Sequence, residues 1–303
     1  MTILNRRTIL GAAAGLPFLA TTTNAAPAAG NTISALTRSE TLQAYVKLLG
    51  DLESRTVYTW FSGHLWGVVP DKTPIQLVSI EGLAKNVWRA EGDQVFTQRS
   101  FDIGFFGDPN TGEAIDEFVN PFSGETVRPY HFMYGGSPRR YSEAGVQTGK
   151  VTTPINPHWV ESGNQVWMDE SFVASVPNPI GPAKWPRESA GDTFHLGSTI
   201  TYVTNTCELL DKNRTSVPYT LFWSSINSWE PWLLMGSAPG HVMWRGTGRK
   251  LLDIAEAPAR IRNYARSVEP DYFDKEFPWE GSRSTWLGFI DERNPAPAKR
   301  EFD

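Results

Sequence analysis

Thr56-Val57-Tyr58-Thr59-Trp60-Phe61-Ser62-Gly63-His64-Leu65-Trp66 reads as one β-strand, rich in β-branched and aromatic residues. Side chains alternate across a strand. One face therefore carries Tyr58, Trp60, Ser62, His64 and Trp66, and the other Val57, Thr59, Phe61, Gly63 and Leu65. The second, apolar face is expected to meet a core. The first mixes aromatic bulk with polar tips, as the lining of a ligand cavity does. A packed or solvent-facing aromatic face explains the same pattern.

Outward from this stretch the texture persists. Residues 55–134 show β-type runs cut by turn chemistry: Pro70-Asp71-Lys72, Glu91-Gly92-Asp93, the stretch from Gly107 to Gly112, and Ser123-Gly124-Glu125. Long strands joined by short polar turns predict an antiparallel meander. Before it, Leu36, Leu42, Tyr45, Val46, Leu48 and Leu49 recur near helical spacing, and Gly50 closes a helix expected over 33–52. Residues 135–160, rich in Gly, Pro, Ser and Thr, read as an irregular excursion, and 164–176 as a strand pair or edge. Strand texture returns at 199–206, 217–225 and 241–246. A helical stretch over 251–265 is interrupted by Pro258, and the polar tail 291–303 is expected to fray. The pattern predicts an all-β, mainly antiparallel protein: a lipocalin-like (calycin-like) β-barrel with flanking helices and long loops.

Composition narrows the function. Hydrophobic residues make up 40% and charged residues 20% of the 303, an ordinary globular balance. Net charge is -5, which disfavours nucleic acid and anionic membrane as partners. Twelve tryptophans are a high share, as a cavity for an aromatic or hydrophobic ligand would need. The single cysteine, Cys207, excludes an internal disulfide. It is expected to be a small buried side chain rather than a nucleophile.

Individual residues suggest acid–base chemistry. Asp102 lies between Phe101 and Ile103, on the same strand face as Gln98 and Ser100. Buried in a cavity it would have a raised pKa and could serve as general acid or base; paired with an arginine it would be structural. On a strand over 126–134, Arg128, Tyr130, Phe132 and Tyr134 share one face, and Val127, Pro129, His131 and Met133 the other. Arginine and tyrosine together suit a carboxylate or a developing oxygen charge. Among five histidines, His64 and His131 sit in aromatic strands and are the candidate general bases. No two histidines have the spacing of metal ligands, so no metal is predicted. Neither a nucleophile elbow, a phosphate-binding loop nor a dinucleotide motif is present, so cofactor-free chemistry or plain binding is expected.

The N-terminus supplies an address. Arg6-Arg7 precede an apolar run over 11–20 and the small-residue stretch over 21–26. This layout resembles a twin-arginine export signal, removed after Ala25, with 26–303 as a single mature domain. Removing Arg6 and Arg7, with no acidic residue before the cut, changes the charge from -5 to -7. The expected partners are the twin-arginine export machinery and a hydrophobic or aromatic small molecule, the expected location is the periplasm, and stable membrane insertion is not expected.

One block carries a family resemblance. Ser228-Trp229-Glu230-Pro231-Trp232-Leu233-Leu234-Met235-Gly236, with Pro239-Gly240 and Gly248-Arg249-Lys250, resembles the DUF1838 proteins, as do Trp66-Gly67 and Arg128-Pro129-Tyr130-His131-Phe132. That resemblance implies an all-β single domain and supplies no reaction. The residues themselves point to a periplasmic, cofactor-independent lyase, isomerase or hydratase. In it His64 or His131 is the base, Asp102 its partner or acid, Arg128, Tyr130 and Tyr134 bind oxygen, and Tyr58, Trp60 and Trp66 bind substrate. The alternative is a non-catalytic binding or carrier protein for the same ligands. Pro231 and Pro239 forbid a regular central strand in the Trp-rich block, so Trp229, Trp232 and Leu233 are expected to close one end of the barrel as a lid or plug, or to form a packed corner.

Overall fold

The protein is described by a computed structural model covering residues 32–276, 282 and 284–297. The expected signal segment, 1–25, lies outside the described residues.

A capping box starts the first helix, α1 (Arg38–Leu49): Thr37 and Glu40 satisfy each other's backbone N–H groups. It ends at Gly50, where a side chain is impossible because a Cβ would lie 2.1 Å from the buried Trp88 ring. The strands follow in chain order: β1 (Val57–Val68), β2 (Ile75–Gly92), β3 (Val95–Gly107), β4 (Phe118–Val119), β5 (Thr126–Val127), β6 (Met133–Gly135), β7 (Arg139–Ser142), β8 (Gly145–Thr148), β9 (Val151–Thr153), β10 (His158–Ser162), β11 (Gln165–Pro177) and β12 (Thr193–Asn205). After the short α2 (Thr206–Leu210) come β13 (Thr220–Asn227) and β14 (His241–Leu251), then α3 (Ala259–Val268) and α4 (Thr285–Glu292).

Twelve strands form one antiparallel sheet in the order β10-β11-β12-β13-β14-β1-β2-β3-β7-β8-β9, with β6 also on β3; β4 and β5 make a separate pair. Chain neighbours are therefore sheet neighbours along most of the path. The long-range seam is β14 on β1, in register from Tyr58↔Leu251 to Val68↔His241. The protein is all-β, as expected, but the sheet is not closed. Its two ends, β9 and β10, are consecutive in sequence and do not pair. Only Pro154-Ile155-Asn156-Pro157 joins them, so Thr153 and His158 lie at most about 18 Å apart. Two prolines lacking an N–H and a three-residue, fully exposed β9 leave little to pair with β10.

The 135–160 segment is not an irregular excursion. It folds into β7–β10, short strands turned at Gly145 and Gly149, both with positive φ. Strands of three to five residues are too short to announce themselves by alternation. The described part of the tail is not frayed: Arg187 donates to the Pro297 carbonyl at 2.7 Å and Arg293 to that of Pro129 at 3.3 Å. Cys207 is exposed in α2 rather than buried at a strand end.

The sheet has a concave and a convex face. On the concave face α1 fills one end, with Ala44 and Leu48 on Met168, Tyr202 and Leu221, and Leu42 and Val46 on Val57, Trp88 and Phe96. The other end holds Trp229, Trp232 and Leu233, packed on Leu65, Leu77 and Phe106. A turn of 3-10 helix over Pro231–Leu233, closed by Leu234 in the left-handed region, shapes this end. The proline-bearing Trp block is thus a packed plug, as its sequence suggests. On the convex face α3 presses Ile261 and Ala265 onto Leu83, Ile103 and Phe105.

Candidate functional site

Between the two plugs lies a cavity of about 590 Å³. Its walls follow from strand alternation. Thr59 and Phe61 of β1, Ala84 and Asn86 of β2, Ser100, Asp102 and Phe106 of β3, Ile200 and Tyr202 of β12, Leu221, Trp223 and Ser225 of β13, and Trp244 of β14 all share the concave face. Tyr130, Phe132, Tyr134 and Glu230 enter from loops and β6, and Thr285 and Trp286 from the start of α4.

Glycines make room for these rings. A Cβ at Gly82 would sit 2.3 Å from Phe61, one at Gly104 2.1 Å from Phe132, and one at Gly246 2.1 Å from Trp223. Phe61 then meets Phe132 at 6.0 Å, stacked, and Trp223 edge-on at 5.6 Å.

Polar groups enter at two levels. Asp102 is level with Ala84 and, through it, Thr59. Burial raises its carboxyl to about 6, opposed by a hydrogen bond from Ser100 at 3.3 Å and by the more distant Arg139. Thr59 and the Tyr219 hydroxyl are 2.7 Å apart beside it, and burial raises Tyr219 above its ordinary value. Tyr202 stacks edge-on against Tyr219 at 5.0 Å and approaches Glu170, which also accepts from Tyr45.

The second level is Glu230, 8% exposed, beside Trp244. Trp244 pairs with Leu65, six residues along β1 from Thr59 and so roughly 20 Å further on. Burial raises Glu230 to about 8. The Trp244 indole N–H acts in the opposite direction without meeting regular hydrogen-bond geometry. The two carboxyls are therefore separate groups at different heights rather than a dyad sharing one proton.

The structure brings together only part of the expected constellation. Asp102, Tyr130 and Tyr134 line the cavity. Among the described residues Asp102 makes no ion pair with an arginine within contact distance, although Arg139 acts on it electrostatically. Tyr58, Trp60, Ser62, His64 and Trp66 lie on the other face of β1: the expected cavity face and core face are interchanged. Tyr58 and Trp60 pack under α3, and the Trp60 indole donates to Glu81 at 2.9 Å, a carboxylate also held by Arg260 at 2.6 Å. His64 sits in a convex groove with Arg245, Thr199 and Ser224, and Trp66 follows a register shift between β1 and β2. The alternation was read correctly, but two half-buried aromatic faces look alike in sequence.

His131 does not line the cavity. Its Nδ1 accepts the Phe106 N–H at 3.1 Å, its ring packs on Phe105, Phe106 and Tyr264, and burial lowers its pKa. Arg128 is exposed, and Arg140 pairs with Glu91 at 3.3 Å. Arg128 therefore does not join Tyr130 and Tyr134 on the cavity wall, and the arginine that acts on Tyr134 is Arg139, which also hydrogen-bonds with Tyr141. Glu230 was missed, although a lone carboxylate between Trp229 and Pro231-Trp232 carries the same signal that singled out Asp102.

Among the described residues no group of three or more His, Cys, Asp or Glu could hold a metal ion, and no helix is long and apolar enough to cross a membrane. A search of curated proteins finds no match to the chain. A family model described as a protein of unknown function, DUF1838, matches residues 53–289, a span that includes Asp102, Glu230 and every other described residue of the cavity wall. The chain belongs to the DUF1838 family.

Proposed function

We propose that the chain is a cofactor-independent acid–base enzyme of lyase, isomerase or hydratase type, acting on a hydrophobic or aromatic small molecule. The observation that carries this reading is Asp102: an ionisable carboxyl on the wall of an aromatic cavity, raised by burial to about 6. A base poised near the working pH transfers protons most effectively. Asp102 takes the general-base role first considered for His64 and His131. Ser100, Asn86 and Tyr134 are the neighbouring polar side chains of the wall that can bind a substrate oxygen. The sheet reads as a lipocalin-like barrel opened between β9 and β10, its ends held close by four residues. Removal of 1–25 after twin-arginine export would place the mature protein in the periplasm.

The test is turnover by the full mature chain across aromatic and hydrophobic substrates bearing an acidic C–H or a leaving group. The expected kcat/KM rises with pH through about 6, because the ionised carboxylate is the active form. Asp102→Asn should lower kcat by about 10²–10⁴ with substrate binding retained. Unchanged kcat in that variant removes the assignment. A second reading, a non-catalytic carrier, is favoured by the predominance of aromatic rings in the wall; ligand binding with no product from the wild-type chain would select it.

A further inference from the structure

The charges of the cavity wall are one-sided. Asp102 and Glu230 both line it, and among the described lining residues there is no lysine, arginine or histidine. A cavity meant for a carboxylate or phosphate ester would place a cation on its wall. This one offers acids and rings. The Glu230 end concentrates both: Phe106 lies 5.6 Å from Trp244 and 6.0 Å from Phe132, and all three rings line the same space as the glutamate. Glu230 is more than nine-tenths buried and makes no ion pair among the described residues. The nearest polar influence on it is the Trp244 N–H, itself without a regular acceptor.

From this juxtaposition we infer that the Glu230 end of the cavity binds an organic ammonium group, so that the ligand is an aromatic or hydrophobic amine. The inference rests on the reading of the cavity as the ligand site and leaves Asp102 free for chemistry. The ring faces attract the cation, and the carboxylate supplies its counter-charge once the ammonium replaces the missing partner. Binding then carries a signature. Glu230 is held protonated by burial near neutral pH, and an arriving cation drives that proton off.

The probes are three compounds of one shape: 2-phenylethylamine, 2-phenylethanol and phenylacetate. Titration of tryptophan fluorescence in the mature chain at pH 7 should give the amine at least about tenfold tighter binding than the alcohol, with phenylacetate weakest. Calorimetry in two buffers of different ionisation enthalpy should show release of close to one proton on amine binding. Glu230→Gln should bring amine and alcohol to equal affinity and abolish proton release, whereas Asp102→Asn should keep the preference. Equal affinity of amine and alcohol in the wild-type chain, tighter binding of phenylacetate, no binding of any probe, or amine binding without proton release each overturns the inference. The proton measurement needs no variant, so a misfolded Glu230→Gln chain cannot decide the matter. Amine binding without turnover of any amine would sink the catalytic reading alone. Turnover of neutral substrates without amine preference would sink the ammonium alone.

Discussion

Glu230 costs the fold stability whenever it is ionised. Its buried carboxyl titrates near 8 against 4.5 in the open chain, so the folded state holds its proton over a pH range in which the unfolded state has lost it. Stability from this group is full below about 4.5 and falls as pH rises through 8. The difference amounts to roughly 3–5 kcal/mol over that window. Glu230→Gln removes the pH dependence while keeping the shape. Urea midpoints should therefore show the variant gaining on the wild-type chain between pH 5 and pH 9, and a constant gap would mean that the carboxyl is solvated. Asp102, raised for the same reason, was legible in sequence because two apolar neighbours flank it. Neither His64 nor His131 lines the cavity, and the sequence could not show this: an imidazole among aromatics serves packing and backbone hydrogen bonding as readily as catalysis. Only tertiary contacts, such as the Phe106 N–H on His131, tell the two apart.

The helix α1 is held at its end by a residue 203 positions away from Lys47. Lys250 of β14 is 3% exposed and donates from Nζ to the carbonyls of Lys47, Leu48 and Gly50. These are carbonyls that a helix end leaves without intrahelical partners, at the negative pole of its dipole. Burial pulls the ammonium down to about 7, with Asp51 acting in the other direction. Lys250→Met should strand the Leu48 carbonyl, while the Val217 N–H and the Ser216 hydroxyl still serve those of Lys47 and Gly50, and cost on the order of 2 kcal/mol. Amide hydrogen exchange should then accelerate in the last turn of α1, and unchanged protection there would contradict the anchoring role. The helix itself was plain from Leu42, Val46 and Leu48 and from Gly50. Its anchor was not, because an isolated lysine beside Arg249 reads as surface charge. The same limit hid β7–β10: strands this short carry no period, and their glycine turns look like loop.

The cavity depends on parts of the chain that lie outside the family match. The matched region begins at residue 53, whereas α1 contributes Leu42, Val46 and Leu48 to two of the four cores. A chain starting at Thr32 should keep its cooperative thermal transition and its near-ultraviolet tryptophan signal. A chain starting at Glu53 should lose both, since three fully buried side chains at ~1.5–3 kcal/mol each are comparable with the whole stability of a typical domain. Retention of a sharp transition by the shorter chain would show that the concave face is stable without its plug. At this scale the sequence was most informative: turn chemistry at Pro70-Asp71-Lys72 and Glu91-Gly92-Asp93 predicted the meander, and its hairpins stand there. Closure was not legible, because whether β9 meets β10 depends on four linker residues and not on any repeating pattern.

The seam between β1 and β14 also dictates an order of events. Tyr58 and Leu251 face each other across it, 193 residues apart (251 − 58). While the polypeptide is being synthesised, β1 therefore waits with one edge bare until the last strand has left the ribosome. Each half-sheet meanwhile offers unpaired amides and carbonyls beside a row of aromatic rings, the condition under which β-proteins join the wrong neighbours. The seam at the middle of the sheet is thus among the last strand pairings the chain can make.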